Sequence, residues 1–297
     1  MSVTRRDWMR MAGGVALGAA LTRRRVEADA GRTFCLFSKH LPELEWGALA
    51  RAVKDAGFGG VDLTVRPRGH VLPERAADDL PRAIDAIKAE GLSVPMITTD
   101  LTSAASPLAR PLLEAAARSG VRFFKTGYWR YTASPDVRAQ VAATGAALDG
   151  LAALARDCGI EMGFHNHETY IGAALWDIAP VMDRLDPRWA GYYFDPRHAV
   201  AEGGAGSWKA ATHLVAPRLK MVAVKDCVWA KTPQGWRVEN CQLGEGLVDW
   251  AWVGNALNEA KFNGPISIHL EYELPAGTSH TLQAASRDLA FARRFLS

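Results

Sequence analysis

Between residues 34 and 272, short apolar runs alternate with longer stretches whose apolar residues recur at helical spacing. The runs FCLFSKH (34–40), GVDLTV (60–65), VPMITTD (94–100) and RFFKTGY (122–128) read as strands. So do EMGFHNH (161–167), GYYFDP (191–196), KMVAVKD (220–226) and PISIHLEY (265–272). Seven of these eight are followed by an amphipathic stretch, such as 46–57, 80–91 and 144–159. Several stretches close on Gly, which best tolerates the left-handed helix cap. Strands that alternate with helices predict a parallel sheet, and eight such units predict a single (β/α)8 TIM barrel over 31–297. An open doubly wound sheet is the alternative, but no Gly-rich phosphate fingerprint follows the first run.

Residues 1–30 break the pattern. Paired arginines, Arg5 and Arg6, precede an apolar run from Met11 to Leu21. That run is too short for a bilayer helix, which needs roughly 20 apolar residues. ADA at 28–30 has the small residues of a cleavage site, so the segment reads as a twin-arginine signal peptide and predicts export, to the periplasm or beyond. The segment also changes the charge balance. It holds six arginines against three acidic residues, which accounts for the whole net charge of +3. The remainder carries 29 basic and 29 acidic residues, and such a neutral domain has no bulk attraction for nucleic acid. After signal removal no membrane partner is expected. The helical faces would allow an oligomer. Cys227 and Cys241 are placed either as a disulfide within one loop or as separate buried thiols.

In a barrel, chemistry sits where strands end and βα loops begin. Five of the eight histidines (His70, His165, His167, His198 and His269) fall at or just past predicted strand ends. They are joined there by Arg66, Lys125, Asp195, Lys225, Glu271 and Glu273. By strand alternation His165 and His167 share a side with Asn166 opposite, and His269, Glu271 and Glu273 share another. A mixed imidazole and carboxylate set suits Zn, Mn, Co or Mg, with Asp195 and Glu271 supplying negative charge. The competing reading is a hydrogen-bonded polar floor with no cation.

At these residues the chain resembles the sugar phosphate isomerase/epimerase superfamily, the xylose isomerase-like TIM barrels, in particular an exported subgroup. The motifs that carry the resemblance are VDLTVRPRGHVLPE (61–74), HNHE (165–168), ALWD (174–177), FDPRHAVAEGG (194–204), VKDCVW (224–229), CQLGEG (241–246) and ISIHLEY (266–272). The family pattern implies a divalent metal held by a Glu ending strand five, an Asp ending strand six, a His on strand seven and a Glu on strand eight. Asp195 and Glu271 match, and His198 matches the family's D-x-x-H histidine. Two positions depart, because His165 replaces the strand-five Glu and Ala223 the strand-seven His.

The resemblance implies proton abstraction next to a carbonyl of a sugar or keto-sugar, with a cation at the enolate. On that basis His165, Asp195, Glu271 and His198 are the expected metal ligands. Lys225, His198, Lys125, Glu273 and His269 are the expected catalytic groups. Arg66, His70, Asn166, His167 and Glu168 are placed as substrate contacts, with Glu168 also able to serve as acid or base. Trp229 and Trp236 would stack on sugar faces, while Trp250 and Trp252 read as core. An isomerase or epimerase, a lyase using the same enolate, and a non-catalytic carbohydrate-binding barrel remain open alternatives.

Overall fold

The computed structural model describes residues 32–297, so the expected signal peptide over 1–30 lies outside the described residues. The first half runs β1 (Phe34–Phe37), α1 (Trp46–Asp55), β2 (Gly60–Val65), α2 (Ala76–Ala89), β3 (Ser93–Thr99), α3 (Ala109–Arg118), β4 (Phe123–Lys125) and α4 (Val137–Cys158). The second half runs β5 (Glu161–His165), α5 (Ala179–Met182), β6 (Ala190–Phe194), α6 (Pro196–Val215), β7 (Leu219–Val224), β8 (Asp226–Thr232), β9 (Gly235–Cys241), α7 (Trp250–Glu259), β10 (Ile266–Ile268) and α8 (Thr278–Leu296).

Eight of the strands close into a parallel barrel in the order β1-β10-β7-β6-β5-β4-β3-β2, the TIM barrel expected from the alternating pattern. Closure is made by β1, where Cys35 stands opposite Gly60 on one side and Ser267 on the other. The helices bury one apolar stripe each against the outside of the sheet. In α1 this stripe is Leu49, Ala50 and Val53, at the spacing that brings residues onto one helical face.

Inside the barrel, Met96, Phe123, Tyr193, Met221 and Ala223 form a separate apolar cluster that supports the site above it. Gly163 on β5 makes room for this plug, since a Cβ there would lie 2.0 Å from Met221 Cε and 3.2 Å from Tyr193 Cβ.

Several strands are shorter than the apolar runs that predict them. β1 stops at Phe37 and β10 at Ile268, and the polar tails of these runs leave the sheet at its carboxyl end. The stretch after β7, read from sequence as a long loop, instead forms the antiparallel hairpin β8–β9, with Trp229 opposite Val238. Cys227 and Cys241 are both free thiols. Among the described residues no helix is long and apolar enough to cross a membrane.

Candidate functional site

The carboxyl ends of the strands converge on Lys225, which follows β7 and is 3% exposed. Its Nζ donates to Glu271 Oε2 at 2.8 Å and lies 3.3 Å from Asp195 Oδ2. Asp195 is fully buried and is the N-cap of α6. Its Oδ1 accepts from the His198 backbone N–H at 3.2 Å, which leaves Oδ2 turned into the site. Asn166 locks this geometry: its side chain accepts from Asp195 N at 2.8 Å and donates to Asp195 O at 3.0 Å.

Burial works against the Lys225 ammonium, but Asp195 and Glu271 outweigh it and hold it above the usual lysine range. Burial would likewise raise both carboxyls, yet Lys225 and its neighbours hold Asp195 well below the usual range and lower Glu271 also. The three groups are a charged triad at neutral pH.

On the β5 side, His165 Nε2 lies 3.3 Å from Asp195 Oδ2 and its Nδ1 pairs with the Tyr128 hydroxyl at 2.8 Å. Burial lowers this imidazole to about 3, so it is neutral at physiological pH. On the β10 side, a buried relay backs His269. Tyr193 donates to Asp62 Oδ2 at 3.2 Å, and its oxygen lies 3.0 Å from His269 Nε2. Since the single hydroxyl proton goes to Asp62, Tyr193 accepts from His269 Nε2–H, and the ring's lone pair is on Nδ1. That Nδ1 is buried and without a partner. Asp62 takes two further donors, Thr98 at 2.8 Å and Ser267 at 2.8 Å, and burial raises it to about 6.

Lys125 ends β4 and is 1% exposed. Its Nζ sits 3.5 Å from the Tyr128 ring centroid and reaches Thr99 O at 3.5 Å. Burial lowers its amine to about 7, so a substantial neutral fraction exists at neutral pH.

One pocket gathers Lys125, His165, His167, Lys225, His269, Glu271 and Arg66 from the expected set. Asp195 and His198 lie buried behind them. The others fall elsewhere. His70 is spent on the β2 loop, where its ring nitrogens pair with Thr64 Oγ1 at 3.2 Å and Leu41 O at 3.1 Å. Glu168 pairs with Arg197 at 2.6 Å. Asn166 holds the Asp195 backbone, so it positions the site from behind. Glu273 is exposed and does not line the Lys225 pocket: it borders a neighbouring cleft that Glu271 also lines, past the end of β10 at Ile268. Trp229 and Trp236 lie on the hairpin, Trp236 65% exposed, and neither lines the Lys225 pocket.

Sequence reasoning missed Asp62 and Tyr193 as site residues and gave Tyr128 no role. A signal for Asp62 existed, because a lone carboxylate inside the apolar strand GVDLTV needs buried partners. Tyr193 precedes Asp195 by two, the spacing that puts both on one side of a strand.

His165, Asp195 and His198 form a cluster whose potential ligand atoms lie within 4.8 Å of one another. Their hydrogen bonding does not fit a divalent cation. Arg197 Nη1 lies 2.9 Å from His198 Nδ1, and a guanidinium only donates. Nδ1 therefore accepts, and Nε2, 3.6 Å from Asp195 Oδ2, carries the ring proton. This buried Nε2 has no hydrogen-bond partner, and as a protonated donor it offers no lone pair to a metal. Ala223 offers no ligand, and the Lys225 ammonium lies between the carboxylates that would have to balance the charge.

The class defined by this barrel is matched directly by sequence. Residues 50–295 fit the family model of the xylose isomerase-like TIM barrel, and the chain belongs to that family. Its fold is similar to D-psicose 3-epimerase from Clostridium cellulolyticum H10, whose structure holds D-tagatose, at 15% identity and TM-score 0.69 over 89% of this chain and 99% of that one. It is similar as well to 3-keto-D-glucoside 4-epimerase from E. coli, at 16% identity and TM-score 0.68 over 89% and 99%. D-allulose 3-epimerase from Methylomonas sp. gives 17% identity and TM-score 0.67 over 90% and 98%. At these identities the likeness is one of fold. No curated protein matches the sequence.

Proposed function

We propose that the protein is a carbohydrate isomerase or epimerase that removes a proton next to the carbonyl of a sugar or keto-sugar. The observation that carries this reading is the placement of three nitrogen groups around one pocket. Lys125 ends β4 and His269 follows β10, and in the barrel order these strands stand four apart in either direction, on opposite walls. Lys225, at the end of β7, lines the same pocket.

An ammonium has three N–H donors. Asp195 and Glu271 take two from Lys225, and the third serves a substrate carbonyl oxygen and the enolate that forms from it. His269, neutral with its lone pair on Nδ1, and Lys125, neutral in part, provide bases on the two walls. A base on one wall and a proton donor on the other is what inversion at carbon requires. Tyr193 and Asp62 act through His269 as positioning residues that hold its tautomer.

The epimerase activities of the fold relatives support the reading, as does the lining of the pocket by hydroxyls and imidazoles suited to a polyol. Export by the twin-arginine route remains part of the proposal, and it favours a substrate without a phosphate. The test is to incubate the purified protein with ketohexoses and 3-keto-glucosides and analyse products by mass and NMR. An isomer of unchanged mass supports the reading. A product lighter by the β-substituent assigns the same enolate to a lyase instead. No turnover of any keto-sugar by folded protein removes it.

A further inference from the structure

We propose that the Lys225 ammonium is the resident cation of this site and stands where the family resemblance places a divalent metal. The inference deepens the functional reading but rests on separate geometry, and its test measures metal, so each can fail without the other.

Two carboxylates set close together repel one another, and both stay ionised only with a cation beside them. Here Asp195 ends β6 and Glu271 follows β10, on the two strands that flank β7 in the barrel order. Lys225, from the end of β7 itself, reaches between them at 3.3 Å and 2.8 Å. The remaining contacts are arranged around an ammonium. Glu271 uses its other oxygen, Oε1, for Lys39 at 3.0 Å. Asp195 uses Oδ1 to cap α6. His165 carries its proton on Nε2, because the Asp195 carboxylate facing it only accepts, and its Nδ1 then accepts from Tyr128; the Arg197 contact puts the His198 proton on Nε2. Around Asp195 Oδ2, therefore, three N–H groups converge where a metal site would present lone pairs.

The departures from the family pattern gain one explanation. His165 in place of Glu and Ala223 in place of His both remove negative charge or a lone pair from the centre. A site with a fixed internal ammonium needs neither, and a third carboxylate would leave excess negative charge. The electrophile is then built into the chain.

The experiment uses the purified full chain. Metal content is measured by elemental analysis, followed by calorimetric titration with Zn²⁺ and with Mn²⁺. The same titration is run on Lys225→Ala, with folding checked by circular dichroism. The parent is expected to hold no stoichiometric metal and to show no tight uptake. Lys225→Ala frees Asp195 and Glu271 and is expected to bind one cation at least about 100-fold tighter than the parent, as removing a nearby like charge should produce. One tightly held Mn, Co or Zn per parent chain, lost in Asp195→Asn, overturns the inference. So does a folded Lys225→Ala that binds no tighter than the parent. If Lys225→Ala does not fold, the parent's own metal content decides the question.

Discussion

Replacing Lys225 with Met keeps most of the side-chain volume and removes the charge. Asp195 is fully buried and the Glu271 side chain is 20% exposed, so neither can recover full hydration. Removing one partner of a buried ion pair costs about 3–5 kcal/mol. Two carboxylates lose their partner here, but Glu271 keeps Lys39 at 3.0 Å, so the lower end, about 3 kcal/mol, is expected. For a domain of this size that corresponds to a melting temperature lower by roughly 6–12 °C.

The pH dependence follows from the direction of each shift. Asp195 and Glu271 titrate below their unfolded values, so their contribution is full above roughly pH 4–5 and is lost as pH falls below it. Lys225 titrates above its unfolded value, so its contribution is full below about pH 10 and is lost at higher pH. The deficit of Lys225→Met should therefore be largest between pH 6 and 9, as approximate limits, and shrink toward pH 4. Urea unfolding followed by circular dichroism at pH 7.5, 5.5 and 4, approximate settings chosen to span that window, reads it directly. A deficit under about 1 kcal/mol at pH 7.5, or one that does not change with pH, would refute the buried triad.

Lys125→Met should raise stability at about pH 7 and below, with the gain fading as pH rises toward about 10: the buried amine titrates near 7, so the unfolded chain binds the extra proton in between. Thermal melts across that range check it. Tyr128→Phe removes the partner of His165 Nδ1 and should cost about 1 kcal/mol, read by urea melts, while lowering turnover more than substrate affinity. Asp226→Ala should destabilise the fold by about 3 kcal/mol or more, because Cys227 N, Gly244 N, Val248 N and Trp250 Nε1 all donate to this buried carboxylate. Tyr193→Phe frees the Nε2–H of His269 and should alter the acid limb of the pH–rate profile while leaving the melting temperature within a few degrees.

The barrel was legible because its signal repeats. Each strand is a short apolar run, each helix an amphipathic one, and eight repetitions leave few architectures. The strand-end rule placed most of the pocket as well: His165, Lys225, His269 and Glu271 meet as their positions suggested. It failed where the strand itself ended early. Glu273 keeps the alternating spacing with Glu271, but past the end of β10 at Ile268 it stands exposed outside the pocket, beside a cleft that Glu271 also borders. His70 lies in a strand-end loop yet spends both ring nitrogens on loop contacts, which no local pattern reveals. The hairpin β8–β9 was hidden by its polar composition, since beyond Cys227 no residue of its two strands is fully buried and it lacks the apolar alternation that marks strands. Lys225's central position depends on the spatial neighbourhood of β6, β7 and β10, which lie far apart in sequence.

The central claim is that a proton next to a carbonyl is removed in the Lys225 pocket. Its most direct test is turnover of a keto-sugar in deuterium oxide, followed by proton NMR of product and recovered substrate. The account predicts solvent deuterium at the carbon beside the carbonyl, with exchange slowed by about 100-fold or more in Lys225→Met. A product formed by the parent protein with that proton fully retained would contradict it.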